Sequence, residues 1–224
     1  MLHHLKIPAT KIFKHPYEVP IPKFYLKDAR EARITGIGTT SHIRFVFVGQ
    51  LIEQKGIYQL IEATSVLRTK GLADGFTVVV VGDGRLKERL QERVQAANLD
   101  DIVHFYGYVA NDQLPTVLED TDVFVFPTLE DVWGVAPLEA MAMGKPVLCS
   151  KYAGASELIE DGVNGFVVDP LDVESIASAM EKLIRKPELV NAMGRAAAET
   201  MRRYTPKDAA AFFTHVVNTL LGQE

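Results

Sequence analysis

The chain has 224 residues, of which 47% are hydrophobic and 24% charged, and its formal net charge is −5. These values are typical of one globular domain with a sizeable core, or of one domain with part of another. The acidic balance, without clustered Lys and Arg, argues against a nucleic-acid backbone as the main partner.

Three further features bear on the compartment and on metal binding. No apolar run reaches the roughly 18 residues that a membrane span needs, and the start lacks a signal-peptide core with a cleavage site. The single cysteine, Cys149, lies in the apolar stretch PVLC and is expected to be a small buried residue. The six histidines show no metal-ligand spacing. We therefore expect a cytoplasmic protein without a transmembrane segment or a metal site.

In chain order, a proline-containing segment precedes a regular alternation of strands and helices. Residues 1–40 include several prolines and end near a GIGTTS spacer, which is typical of a linker. From residue 43, short apolar runs alternate with amphipathic stretches such as IYQLIEATSVLRTKG. The predicted strands are 43–48, 77–81, 102–106, 123–126, 146–149 and 165–168. Apolar strands separated by helices predict a parallel sheet buried on both faces, and hence a doubly wound α/β domain.

A short helix is predicted from about Val135 to Met143, because a proline suits its first turn and Gly144 its end. Glu139 would lie in or near the first turn, where a carboxylate complements the helix dipole. Its neighbours are apolar and offer no side-chain partner. Glu139 therefore either has this structural role alone or binds an external diol, which a carboxylate can contact with both oxygens.

The chain ends in two further helical patterns. The first lies around residues 187–204, and Thr205 with Pro206 then predict the cap and first turn of a last helix. That helix, DAAAFFTHVVNTLL, carries a broad apolar stripe that needs a surface to cover it.

The unusual residues cluster in the loops that follow the predicted strands. Ligands of open α/β sheets bind beyond the carboxyl ends of the strands. The loops there are GQLIEQKG, GDG, GYV, PTLEDVWG and KYAGAS, which together supply glycines, lysines and several carboxylates. Taken singly, Lys55 is an ordinary loop lysine and 82–84 an ordinary turn. Because GDG is not GxGxxG, the dinucleotide fingerprint is absent and hydride chemistry is disfavoured.

Several of these motifs, in this order, carry a resemblance to one family. VGQLIEQKG, VVVGDGRLKERL, VHFYGYV and LEDVWGVAPLEAMAMGKPVLCSKYAGASELIEDGVNGFVVDP resemble the nucleotide-sugar-binding half of family-4 glycosyltransferases, which have the two-domain GT-B fold. The similarity runs from about Phe45 to Pro170. It implies a Rossmann-like domain at 41–204, a hinge or linker remnant of an N-terminal domain at 1–40, and a C-terminal crossover helix at 205–224.

The resemblance also implies three catalytic residues. In the family, two glutamates separated by seven residues flank the donor; here Glu139 matches the second, and Asp131, one methylene shorter, stands at the first. Glu139 would bind the ribose hydroxyls and Asp131 would face the donor sugar, with Glu130 as the alternative for that role. Lys55 would bind the diphosphate.

The remaining binding residues are implied in the same way. Gln50 stands where the family usually has an arginine, so one charge faces the diphosphate instead of two. Arg85 and Lys151, on neighbouring loops, are alternative sources of the second charge. Backbone groups of the loop at Tyr108 would hold the base, and N–H groups at the start of the short helix would hold the sugar and diphosphate. The full predicted binding set is Gly49, Gln50, Lys55, Gly82, Gly84, Tyr108, Val109, Glu130, Asp131, Gly134, Val135, Ala136 and Glu139.

The resulting expectation is the donor domain of a retaining hexosyltransferase. It would transfer a hexose from a nucleoside-diphosphate sugar, with UDP favoured over GDP, to a saccharide or lipid-linked acceptor, and would need no metal or other cofactor. Nothing in residues 1–40 supplies the family's acceptor-binding domain, so the chain by itself is expected to be inactive in transfer. Any contact with a membrane surface would come through that N-terminal domain. The alternatives are a non-catalytic glycosyltransferase-like binding subunit and a sugar-nucleotide epimerase.

Overall fold

The computed structural model describes Phe13 and residues 42–221. Apart from Phe13, the predicted hinge segment 1–40 lies outside this part of the chain. Six strands form one sheet: β1 (Ile43–Val48), β2 (Phe76–Val81), β3 (Val103–Gly107), β4 (Val123–Phe126), β5 (Val147–Ser150) and β6 (Gly165–Val168). Each predicted strand is present, with its ends displaced by no more than one residue.

Seven helices accompany the described sheet: α1 (Ile57–Thr69), α2 (Lys87–Ala96), α3 (Leu114–Glu119), α4 (Val135–Ala142), α5 (Val173–Arg185), α6 (Glu188–Met201) and α7 (Pro206–Leu221). Alternate strand residues point into two apolar layers. Phe45 and Val125 pack with α1, α2 and α5, whereas Val46 and Phe124 pack with α3, α4 and α6. Burying both faces explains why the strands are mainly apolar, since each fully buried side chain of this size contributes about 1.5–3 kcal/mol.

The strand order fixes where a ligand crevice can form. All neighbouring strands are parallel and lie in the order β3-β2-β1-β4-β5-β6. The chain adds β2 and β3 on one side of β1 and then returns to place β4 on the other side. In such sheets the crevice opens at this reversal, between the carboxyl ends of β1 and β4. The predicted doubly wound α/β fold is therefore confirmed, with its switch point at β1 and β4.

Local capping sets the ends of two helices that matter below. Helix α4 ends at Ala142, and Gly144 follows with a φ of 72°, the left-handed conformation expected after a helix end. At α7, the Thr205 backbone N–H donates to the Asp208 carboxylate at 3.1 Å, and the Asp208 N–H donates to Thr205 Oγ1 at 3.3 Å. This reciprocal cap confirms the helix start predicted from Thr205 and Pro206. Among the described residues, no helix combines the length and apolarity that a membrane crossing needs.

Candidate functional site

Two of the predicted catalytic residues meet at the switch point. Lys55 follows β1 and Asp131 follows β4, and Lys55 Nζ donates to Asp131 Oδ2 at 2.6 Å. Their side chains are 25% and 18% exposed, so the pair is largely shielded from water. The lysine also lies 5.8 Å from the centre of the Phe126 ring. Residues 76 positions apart are thus joined at the edge where a ligand would enter.

The loops after β1 and β4 are tied together by their backbones, which holds this pair in place. The Gln54 carbonyl accepts hydrogen bonds from the Leu129 N–H at 2.8 Å and from Thr128 Oγ1 at 2.9 Å. Thr128 is fully buried. Gly56 ends the 3-10 turn Glu53–Lys55 with a φ of 69°, and a Cβ there would lie 1.8 Å from the Pro127 carbonyl oxygen. Only glycine allows the two loops to approach this closely.

Asp131 is fixed by its own loop as well as by Lys55. Its Oδ1 accepts the backbone N–H of Trp133 at 3.2 Å, and its backbone N–H donates to the Tyr152 carbonyl at 3.2 Å. The Trp133 carbonyl in turn accepts the N–H of Ala155 at 2.8 Å. The carboxylate therefore has a defined orientation, with one oxygen on the backbone and one on the lysine.

The start of α4 offers backbone donors beside this pair. Gly134 precedes the helix with a φ of 94°, and no side chain caps it. A Cβ at Gly134 would lie 2.7 Å from the Phe126 ring, so the chain turns into the helix through a tight approach. The first N–H groups of a helix have no intrahelical acceptor, and here they belong to Val135, which is 41% exposed, and Ala136. An uncapped helix start of this kind favours an anion.

Glu139 lies near the first turn of α4, directly after it. Because the helix begins at Val135, Glu139 opens its second turn, and the expected complement to the helix dipole is weaker there. The side chain is half-buried, and this burial raises the pKa of its carboxyl. Within the described ranges the carboxylate has no hydrogen-bond or ion-pair partner. The Glu139 carboxylate can therefore accept hydrogen bonds from a ligand.

The other predicted binding residues lie on the same edge but do not join the Lys55–Asp131 pair. Gln50 and Glu130 are exposed, and Tyr108 is 76% exposed. Val109 packs partly against the core instead of standing free. Backbone hydrogen bonds hold the loops of Gly49, Gly82 and Gly84 to their neighbours. The Gly49 N–H donates to the Val81 carbonyl at 3.0 Å, and the Gly82 N–H donates to the Gly107 carbonyl at 2.8 Å.

A second ion pair lies on the other side of the β1 loop and was not predicted. Nε and Nη2 of Arg85 both donate to Glu53 Oε2, at 3.0 and 2.5 Å. The Arg85 hydrogen bond holds the pKa of the Glu53 carboxyl below its ordinary value. No pattern in the sequence indicates this pair, because its partners are 32 positions apart on different loops. Buried Thr128 was also missed, since a threonine after an apolar strand is unremarkable in sequence.

Cys149 is buried in β5, as expected, and burial raises the pKa of its thiol to about 12. The thiol therefore stays protonated and has no part in the chemistry of the site. In the part of the chain that the structure describes, no group of three or more His, Cys, Asp or Glu side chains could hold a metal ion.

Fold and site together define a doubly wound α/β domain with a lysine–aspartate pair and an uncapped helix start at the carboxyl edge of its sheet. Residues 33–200, most of the chain, match the family described as "Glycosyl transferases group 1". The protein belongs to this family, and the predicted resemblance to the C-terminal half of a GT-B enzyme is confirmed.

Named relatives are consistent with this assignment. Alpha-D-kanosaminyltransferase of Streptomyces kanamyceticus is 30% identical over 203 residues, which cover 88% of this chain and 51% of that protein. D-inositol 3-phosphate glycosyltransferase of Streptomyces griseus is 31% identical over 183 residues, which cover 79% and 39%. The chain thus spans about half, or less, of the length of these relatives.

Solved structures share the fold. The C-terminal domain of the group 1 glycosyl transferase LpcC from Francisella tularensis superposes with a TM-score of 0.66 at 26% identity, covering 73% of this chain and 87% of that one. Anabaena HepE, solved in complex with UDP, gives a TM-score of 0.68 at 24% identity, covering 81% and 49%.

Proposed function

We propose that this chain is the donor-binding domain of a retaining hexosyltransferase, with domain bounds 41–204 and a C-terminal crossover helix at 205–224. The observation that carries the proposal is the Lys55–Asp131 pair at the switch point, beside the uncapped start of α4. Membership of the group 1 glycosyl transferases supports it. The donor would be a nucleoside-diphosphate sugar, with UDP favoured over GDP.

Each group has a role that its chemistry suits. Lys55 and the N–H groups of Val135 and Ala136 would bind the diphosphate and stabilise the negative charge that grows on it as the sugar bond breaks. Glu139 would accept hydrogen bonds from the two ribose hydroxyls, and Asp131 would face the sugar. The base would lie against the loop at Tyr108. No step in this scheme requires a metal ion.

Calorimetric titration of the 224-residue chain with UDP and GDP tests the proposal. We expect binding of at least one, and Glu139→Ala should weaken it by about 1.5–3 kcal/mol, roughly tenfold or more, because charge-assisted hydrogen bonds are lost. Glu92→Ala, which removes an exposed carboxylate on α2 outside the predicted binding set, is the matched control for net charge. Equal affinity of Glu139→Ala and wild type, with melting curves that show an intact fold, would remove Glu139 from the site.

Transfer needs a second half of the active site. Positioning of two reactants contributes up to about 7–11 kcal/mol to catalysis, and an acceptor-binding domain would have to supply the acceptor's share. We therefore expect no sugar transfer by this chain alone, although donor binding persists. A non-catalytic binding subunit predicts the same result here, but it also predicts no transfer after the rest of the protein is added. Transfer at about 1 per second by the isolated chain would contradict the proposal that it is half of a site.

A further inference from the structure

The loop after β1 is held between two ion pairs, one on each side. On the β4 side Lys55 pairs with Asp131, and on the β2 side Glu53 pairs with Arg85. Glu53 and Lys55 are the two ends of one 3-10 turn. The carboxyl edge of the sheet therefore carries two cations that flank a single turn, each held by a carboxylate.

Backbone contacts place Arg85 firmly on this edge. The Leu51 N–H donates to the Asp83 carbonyl at 2.9 Å, and the Leu86 N–H donates to the Leu51 carbonyl at 3.1 Å. The loop after β2 is thus fastened to the loop after β1 on both sides of Arg85. The strand order makes β2 the direct neighbour of β1, opposite β4.

The guanidinium is only partly used by the protein. It gives Nε and Nη2 to one oxygen of Glu53, and among the described residues Nη1 has no partner. The Arg85 side chain is 73% exposed. An ion pair this exposed is weak and exchanges readily with a competing anion. The planar fork of an arginine fits two phosphate oxygens, whereas a carboxylate oxygen uses only part of it.

The other cations of the edge are less suited to the same role. Lys151 pairs with Asp169 at 2.6 Å and lies 5.0 Å from the Tyr152 ring, at β5, which β4 separates from β1. Lys87 pairs with Asp83 at 2.8 Å at the start of α2. Of these three residues only Arg85 has a planar guanidinium with several N–H donors. Its partner Glu53 belongs to the turn that carries Lys55.

We propose that Arg85 is a second phosphate-binding residue, which contacts the diphosphate of a nucleoside diphosphate bound at Lys55 and is held by Glu53 until that diphosphate displaces the carboxylate. The inference rests on the proposed donor-binding function. It supplies a second positive charge for a group with at least two negative charges, which Lys55 by itself does not neutralise.

The test compares diphosphate and monophosphate binding by calorimetry, with the 224-residue chain and whichever of UDP and GDP the wild type binds more tightly. Arg85→Ala should weaken diphosphate binding about tenfold, since a charge-assisted contact is lost, and should weaken binding of the matching monophosphate much less. Glu53→Gln should strengthen diphosphate binding by about twofold to fivefold, because the competing carboxylate charge is gone. Both effects should shrink in high salt.

Arg93 offers a matched control. It pairs with Glu62 at 2.6 Å, its side chain is 49% exposed, and it lies on α2, on the same loop-helix segment as Arg85 but beyond the edge. Arg93→Ala changes the net charge equally and should leave nucleotide affinity within about twofold of wild type. Melting curves of all variants test whether the fold is intact, and we expect it to be, because an exposed arginine contributes little to stability.

The outcomes separate the two proposals. If the wild type binds the diphosphate and Arg85→Ala binds it equally well, or loses monophosphate binding by the same factor, the role of Arg85 is refuted while the donor site stands. If the wild type binds neither UDP nor GDP, the donor-binding function fails and the inference fails with it.

Discussion

Replacing Asp131 by asparagine should strengthen binding of the free nucleoside diphosphate, although Asp131 is a proposed site residue. In the structure Lys55 already has an anionic partner at 2.6 Å. A diphosphate that contacts Lys55 must compete with this carboxylate and is repelled by its charge. Asparagine keeps the shape of the side chain and the acceptor for the Trp133 N–H, but it replaces the charged oxygen that faces Lys55 by an amide NH2, which cannot accept from the lysine.

The magnitude follows from the burial of the pair. Two unit charges about 4 Å apart attract by roughly 1 kcal/mol in water and 4 kcal/mol near a protein surface. Side-chain ordering and desolvation offset much of this, so the net contribution of this largely shielded pair is about 1–2 kcal/mol. Asp131→Asn should therefore tighten UDP binding by about fivefold to thirtyfold. The gain should be smaller for a UDP-sugar, because the proposed contact between Asp131 and the sugar is weakened.

The assay is calorimetry with UDP and a UDP-sugar at two salt concentrations, with GDP in place of UDP if the wild type prefers it. Asp169→Asn is the matched control, because Asp169 pairs with Lys151 at the same 2.6 Å on the same edge, and these residues follow β6 and β5, three and two strands away from β1. It should change UDP affinity by less than about twofold. Equal or weaker UDP binding by Asp131→Asn would refute the reasoning, since Lys55 would then not exchange Asp131 for phosphate.

Three further substitutions test other parts of the site. Gln50→Arg should tighten UDP binding by less than about threefold in the wild type. In Arg85→Ala the same change should restore most of the lost affinity, because the added guanidinium replaces the missing one. If calorimetry finds no such recovery, the two positions do not reach the same ligand. Glu139→Gln should raise the melting temperature at neutral pH, because burial raises the pKa of Glu139 above the ordinary 4.5 and the ionised form disfavours the fold. The gain should disappear as the pH falls below 4.5, where the carboxyl is protonated in both states, and a pH-independent gain in melting scans would rule out this cause. Gly56→Ala should lower the free energy of unfolding, measured in urea, by about 3 kcal/mol or more. The control Gly71→Ala has a φ of 73° and, apart from its chain neighbours, no atom within 4 Å of the added Cβ, so it should lower this free energy by only about 1 kcal/mol. Similar losses in the two variants would show that the contact between the loops is unimportant.

The α/β class and the strand positions followed directly from the sequence, because local patterns determine them. Strands buried on both faces must be mainly apolar, so IRFVFV and VFVF could be placed without reference to their neighbours. The resemblance of the loop motifs likewise pointed to the correct family before any contact was known. The start of α4 was also predicted, because a helix boundary depends on the few residues around it.

Contacts between loops depend on the order of the strands, which no short stretch of sequence specifies. Lys55 and Asp131 could each be proposed, but their ion pair exists only because β4 lies beside β1. For the same reason the Glu53–Arg85 pair could not be predicted from the sequence, since it requires β2 on the other side of β1. Glu139 was expected in or near the first turn of α4 and opens the second turn, four residues after the start at Val135. The packing of the sheet brings charges that are tens of residues apart within hydrogen-bond distance. This packing buries the apolar surface of many segments together, so no single segment determines it.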